Sequence, residues 1–206
     1  MSTLIVIPMK DPASAKSRLR MALQSNERER LARLLFDNTL AFFARQCPAM
    51  PRLVVTESAA IAQSSQWQGA QVLREEKRQG LNAALNAASQ WAIRQGHDAM
   101  LYVAADVAVW EPDEVDALFV AGQRNTVVIA EAVDGGTNAL FLPAPNACPF
   151  HFGPGSAVMH EIAAKQHGFS VQRLHLPYLA RDVDTPEDLG LWDRVKHSGS
   201  RAERNG

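Results

Sequence analysis

Three aspartates and one basic loop are the parts of this chain whose residue types and spacing could do chemistry. Asp106 closes an apolar run, residues 100–105, short enough to be a strand buried on both faces of a parallel sheet. In an open α/β sheet the ligand sits outside the carboxyl ends of the strands, which is where such an aspartate would meet a metal or a phosphate. Asp182 and Asp184 alternate in Arg181-Asp182-Val183-Asp184, so in an extended segment both side chains point the same way. Holding two carboxylates together is costly without a cation, and a divalent metal would supply one. Plainer roles fit the same residues: Asp106 as a turn residue or helix cap, Asp184 as a cap, Asp182 solvated.

The basic loop is Lys10-Asp-Pro-Ala-Ser-Ala-Lys16-Ser-Arg18-Leu-Arg20, directly after an apolar strand pattern over residues 3–9 that ends near Pro8. A flexible loop with Lys10, Lys16, Arg18 and Arg20 at a strand end suits a polyphosphate, lysine acting as a point charge and arginine as a bidentate fork. It could equally be a solvated loop. Gly80 and Asn82 open a helix of small and apolar residues and could bring backbone N–H groups and an amide face to a flat ligand, or act as a loop glycine and a cap. Gly153-Pro154-Gly155-Ser156 also leads into a helix, a sensible anion site, although neither a Walker loop nor a dinucleotide fingerprint is present.

These residues need a frame. Strand patterns fall at 3–9, 52–56, 70–73, 100–105, 126–131, 139–142 and 169–176. Helical spacing appears after Ser25, a candidate N-cap, through Leu31, Leu34, Leu35, Asn38, Ala41, Phe42 and Arg45. Further helices follow Gly80, Pro112 and Ser156, the last through Val158, Ile162 and Ala163, and another starts at Pro186 with Thr185 as its cap. The tight turn Asp134-Gly-Gly-Thr-Asn138 makes a strand-turn-strand unit within an otherwise βαβ alternation.

With 206 residues, 47% of them hydrophobic and 21% charged, the chain reads as one domain over residues 1–196 with a polar tail over 197–206. A net charge of −1 argues against an obligatory nucleic-acid partner, and no apolar run reaches bilayer length. Cys47 and Cys148 lack metal-ligand spacing, and no secretory segment precedes them, so a cytoplasmic protein is expected. A homodimer is compatible with the sequence and not indicated by it.

In order, the segments AKSRL, GLNAAL, the strand ending in Asp106, GGTNAL, FGPGS and DVDTPEDL resemble the CofC/FbiD family of phospholactate-type guanylyltransferases, over roughly residues 3 to 192. The resemblance implies a three-layer αβα domain of the nucleotide-diphospho-sugar transferase type, with a Rossmann-like, mainly parallel sheet and an antiparallel addition. It implies transfer of GMP from GTP to 2-phospho-L-lactate, phosphoenolpyruvate or 3-phospho-D-glycerate, with pyrophosphate released, for deazaflavin coenzyme F-420. It also implies roles: Lys16 and Arg18, with Lys10, on the triphosphate; Gly80 and Asn82 at the guanine; Asp106, Asp182 and Asp184 on Mg²⁺; Thr137, Gly153 and Ser156 on the acceptor. The family usually carries Asp-Leu-Pro-Leu after the central strand with another proline just ahead of the aspartate, whereas here the run is Ala105-Asp106-Val107-Ala108-Val109. Fold kinship also admits a MobA-like enzyme with another acceptor, or a nucleotide-binding homologue without turnover.

Overall fold

The computed structural model describes residues 2–77, 79–123 and 125–190. Arg78 and the segments 191–196 and 197–206, assigned above to the domain and its tail, lie outside the described residues. Seven strands, β1 (Thr3–Pro8), β2 (Arg52–Thr56), β3 (Gln71–Arg74), β4 (Ala99–Val103), β5 (Thr126–Glu131), β6 (Thr137–Leu142) and β7 (Ser170–Leu174), form one sheet in the order β3-β2-β1-β4-β6-β5-β7. Every pairing is parallel except those of β6, which runs antiparallel to both β4 and β5.

β1 and β4 are buried at nearly every consecutive position, so both faces of the sheet are covered there. The cover is helical: α1 (Ser25–Gln46), α2 (Ala59–Trp67), α3 (Leu81–Arg94), α4 (Pro112–Ala121) and α5 (Ser156–Gln166). This is the layered α/β architecture expected from the strand and helix patterns.

Several local expectations need correction. Gln24, not Ser25, caps α1: its side chain accepts from the Glu27 N–H while the Glu27 carboxylate accepts the Gln24 N–H at 2.7 Å, a reciprocal capping box. The buried stripe of α1 runs through Leu31, Ala32, Leu35, Phe36, Thr39, Leu40 and Phe43, rotated from the one predicted, and Asn38 and Arg45 are exposed. α5 likewise buries Ala157, His160, Ala163 and Ala164 and leaves Val158 and Ile162 each 45% exposed. Small residues are what allow this helix to lie close against β5 and β7. α2 was not announced by its short run of small residues, which buries only Ile61, Ala62 and Ser65.

Because β6 is reversed, its first residue lies at the same edge as the last residues of β1, β2 and β4. The β4–β6 ladder continues one step past Val103, where the Ala104 N–H donates to the Asn138 carbonyl at 2.8 Å. Thr137 therefore begins beside the turn that carries Asp106.

Candidate active site

Two chain segments that are far apart in sequence meet at this edge. Val107 and Asp182 form an isolated antiparallel bridge, with the Ala108 N–H donating to the Arg181 carbonyl at 3.1 Å and the Val183 N–H to the Asp106 carbonyl at 3.0 Å. Ala108 stands where the family pattern has a proline, and a proline has no N–H to give that bond. Val183 and Ala108 are buried with Leu19, Leu31 and Leu35 in a small second core beneath the bridge. Further along, Trp110 donates its indole N–H to Thr39 Oγ1 at 2.9 Å and packs on Phe42 and Phe43, tying the loop to α1.

The 176–184 strap is fastened from other sides as well. The nearly buried Glu114 of α4 accepts the N–H groups of Tyr178 and Leu179 at 3.0 and 2.7 Å. Asn138 donates its side-chain amide to the Leu179 carbonyl at 3.0 Å. At the far end Asp188, not Asp184, serves the helix start: its carboxylate accepts from the N–H of Asp184 and Thr185, and Thr185 Oγ1 donates to it rather than capping. Asp184 is thereby released from the capping role.

The result is a carboxylate triad. Asp106, Asp182 and Asp184 each offer an oxygen, all within 4.8 Å of one another. Lys16 Nζ donates to Asp106 at 2.7 Å and to Asp184 at 3.0 Å, and Arg18 lies 3.5 Å from Asp184. Burial alone would raise the Asp184 pKa, but Lys16 together with Arg18 and Lys10 holds it below the usual carboxylate range. Burial would lower that of Lys16, and the two aspartates more than reverse this. Asp182 has no ion pair among the described residues, and burial, then the Asp106 charge, pushes it up to about 6. Among the described residues the site thus leaves Asp182 without an ion-pair partner, in an oxygen-only donor set suited to a hard divalent ion such as Mg²⁺.

The basic loop is not flexible chain: it folds as two 3₁₀ turns, Pro12–Ser14 and Ser17–Met21, the first capped by Asp11. Between them Lys16 takes a left-handed backbone conformation, φ 53°, unusual for a non-glycine residue, and its side chain is turned inward. Of the four loop cations, Lys16 is buried, Lys10 is half-buried, and Arg18 and Arg20 are exposed.

Beside the triad opens a cleft of about 310 Å³, lined by Lys10, Lys16, Asp106 and Asp184 at one side and by Gly80, Leu81 and Ala84 at the other. The size suits a small ligand. Gly80 caps α3 with φ 95°, a conformation that favours glycine. Asn82 is placed differently from the expectation that its amide faces a base. It receives the Phe152 N–H at 2.8 Å and donates to the Phe152 carbonyl at 3.2 Å, stitching the 150–155 loop to α3.

Thr137 and Ser156 are brought together, Ser156 Oγ donating to Thr137 Oγ1 at 3.0 Å, and both are buried. Gly153, with φ 144°, sits in the loop ahead of α5 and accepts the Ser156 N–H. The Ala157 N–H is given to the Gly135 carbonyl, so two of the amides expected to meet an anion are used within the protein.

Three groups were missed. Glu57 and Glu75 line the cleft just after β2 and β3, the same strand-end position that singled out Asp106. His160, wholly buried, bonds Thr137 and is not distinguishable in sequence from an ordinary helix residue. Its burial, with His151 nearby, lowers its pKa from an ordinary 6.5 to about 4. Folding then excludes a proton that the unfolded chain accepts, so this contribution to stability is full above pH 6.5 and fades as pH falls toward 4. It amounts to about 3 kcal/mol. Asp182, with its raised pKa, runs the opposite way, its contribution being lost as pH rises toward 6. Urea midpoints between pH 7 and 4 are therefore expected to fall more steeply for the wild type than for His160→Asn, and parallel curves would contradict the assignment.

Comparisons with known proteins bear on the fold and on the family. Among solved structures, a nucleotidyl transferase from Methanothermobacter superposes with a TM-score of 0.67 at 12% identity, covering 96% of this chain and 99% of its own. A 4-diphosphocytidyl-2C-methyl-D-erythritol synthase superposes with 0.63 at 13% identity, covering 93% and 97%. At these identities the likeness concerns the fold. Closer in sequence is a 3-phospho-D-glycerate guanylyltransferase of Colwellia psychrerythraea, 40% identical over 93% of this chain and 91% of the relative. A phosphoenolpyruvate guanylyltransferase of Rubrobacter xylanophilus is 39% identical over 97% and 96%, and a 2-phospho-L-lactate guanylyltransferase of Methanothermobacter thermautotrophicus 32% identical over 92% and 83%. No helix among the described residues is long and apolar enough to cross a membrane. The family model described as guanylyl transferase, CofC like, matches residues 3–200, and the chain belongs to that guanylyltransferase family.

Proposed function

We propose that this protein is a cytoplasmic, Mg²⁺-dependent guanylyltransferase that moves GMP from GTP to the phosphate of a small phosphorylated carboxylic acid, on a route to deazaflavin coenzyme F-420. The candidate acceptors are those in its relatives' names: 3-phospho-D-glycerate, phosphoenolpyruvate and 2-phospho-L-lactate. The observation that carries the reading is the cluster of three carboxylates beside the cleft, their oxygens within 4.8 Å of one another, with Lys16 bonded to Asp106 and Asp184.

An acceptor phosphate oxygen attacks the α-phosphorus of GTP in line, a new P–O bond forms, the α–β bridge bond breaks, and pyrophosphate leaves with its electrons. Both reactants are anions, and the acceptor phosphate is already ionised at neutral pH, so the step needs charge neutralisation more than a general base. Asp106, Asp182 and Asp184 would hold Mg²⁺, which would supply that neutralisation. Lys16 spans the carboxylates and the departing phosphates, Lys10 and Arg18 add charge at the same side, and Gly80 lets the base approach the start of α3. Thr137, Gly153 and Ser156 form the acceptor side.

The test is pyrophosphate release from GTP and Mg²⁺ with each of the three acids, using ATP and CTP as controls. Turnover with at least one acid, selective for GTP and abolished by chelation, is expected. Silence with all three while GTP binds would overturn transfer to these acids and favour a different acceptor or a binding role.

A further inference from the structure

His160 is buried beside the acceptor residues, and the reaction as described gives it no task. Its ring nitrogens have different partners. The His151 main-chain N–H donates to Nε2 at 3.0 Å, and since a backbone N–H can only donate, Nε2 carries no proton. The neutral ring then keeps its proton on Nδ1, 3.1 Å from Thr137 Oγ1. The lowered pKa agrees with a neutral ring at pH 7.

Thr137 Oγ1 also receives the Ser156 hydroxyl at 3.0 Å. A hydroxyl oxygen has two lone pairs and one proton. With both lone pairs filled, by Ser156 and by His160, the Thr137 proton has to be given away. Phe152 fixes the imidazole in place, its ring edge-on to His160 at 4.6 Å and against Tyr102 at 4.5 Å, with its main chain held by Asn82.

We infer that His160 is a positioning residue for acceptor binding: fixed as the Nδ1–H tautomer by the His151 main chain, it sets the Thr137 hydroxyl as a donor aimed at an anionic oxygen, carboxylate or phosphate, of the acceptor. The identity of that ligand rests on the function proposed above; the polarity of the chain does not. A donor fixed in this way favours an ionised oxygen over a group that itself brings a proton, such as an alcohol or amine.

Long-range ¹H–¹⁵N spectra of the imidazole at pH 7 should show the Nδ1–H form, and an Nε2–H tautomer or an imidazolium would overturn the inference. Two variants separate direction from shape. His160→Asn places an amide donor near Nδ1, whereas His160→Gln places its amide near Nε2, keeps the His151 contact and gives Thr137 nothing. The expected result is an acceptor KM raised about tenfold or more in His160→Gln, with the KM for GTP unchanged and His160→Asn restoring most of the loss. Equal changes for both substrates, or none in His160→Gln, would overturn it. Calorimetric binding of phosphoenolpyruvate needs no turnover: weakened affinity in His160→Gln is expected even if pyrophosphate release fails, and unchanged affinity refutes the role of His160.

Discussion

Asp106→Asn is expected to lower pyrophosphate release by at least about 10³-fold, on the order of 4 kcal/mol at the transition state, while the melting temperature moves by only a few degrees. The substitution keeps volume and removes one charge. Lys16 retains its 3.0 Å partner Asp184, and the bridge between Val107 and Asp182 uses main-chain atoms that an asparagine leaves in place. Asp182, now raised partly by the Asp106 charge, is relieved and falls back toward an ordinary carboxylate. That relief offsets the loss of the Lys16–Asp106 pair, so the fold tolerates the change. The measurement is kcat for pyrophosphate release across a Mg²⁺ titration, beside a thermal melt of the same preparation. A variant keeping a tenth or more of wild-type turnover would remove Asp106 from the chemistry.

Glu114→Ala is expected to have the larger effect on stability, a loss of about 3 kcal/mol and a melting temperature lower by several degrees. The carboxylate accepts two main-chain N–H groups of the strap, those of Tyr178 and Leu179, in a nearly closed environment. Removing it leaves both donors without a partner, and hydrogen bonds to a charged acceptor are the stronger kind. Glu114→Gln keeps one carbonyl oxygen and should fall between. Because the same strap carries Asp182 and Asp184, the Mg²⁺ concentration for half-maximal rate should rise in step with the loss of stability. A cost below about 1 kcal/mol, with unchanged Mg²⁺ dependence, would show that Asn138 and the Val107 bridge hold the strap without help.

Much of this arrangement was legible in the chain. Apolar runs located β1, β2, β4 and β5 within a residue or two, because strands buried on both faces leave no other pattern. Alternation put Asp182 and Asp184 on one side and a strand end gave Asp106 its place, whereas joining the three as one metal set came from the resemblance to the guanylyltransferase family. What escaped was decided by partners distant in sequence. The stripe of α1 is rotated because its first half packs on Leu19 and Val183, from opposite ends of the chain. α5 turns its small residues inward, which no count of apolar residues foresees. Asn82 has the right position and is committed to Phe152, seventy residues away, and only coordinates reveal such a pairing. Glu57 and Glu75 follow strands as Asp106 does, and the strand-end rule applied evenly would have found them.

The reversal of β6 divides the site by origin. The loop cations, all of the cleft lining but Asp184, and the first metal-ligand candidate come from strand ends, turns and helix starts scattered between Pro8 and Asp106, positioned by the parallel half of the sheet. The proposed acceptor side comes from one unbroken stretch, from the β5–β6 hairpin to the second turn of α5, whose own bonds join Gly135 to Ala157, Thr137 to Ser156 and His151 to His160. Such a stretch behaves as a cassette. Exchanging it between relatives that act on different acids would move acceptor choice in one piece and leave the nucleotide half untouched, a division of labour that a wholly parallel sheet, with every site loop at the end of a different crossover, does not offer.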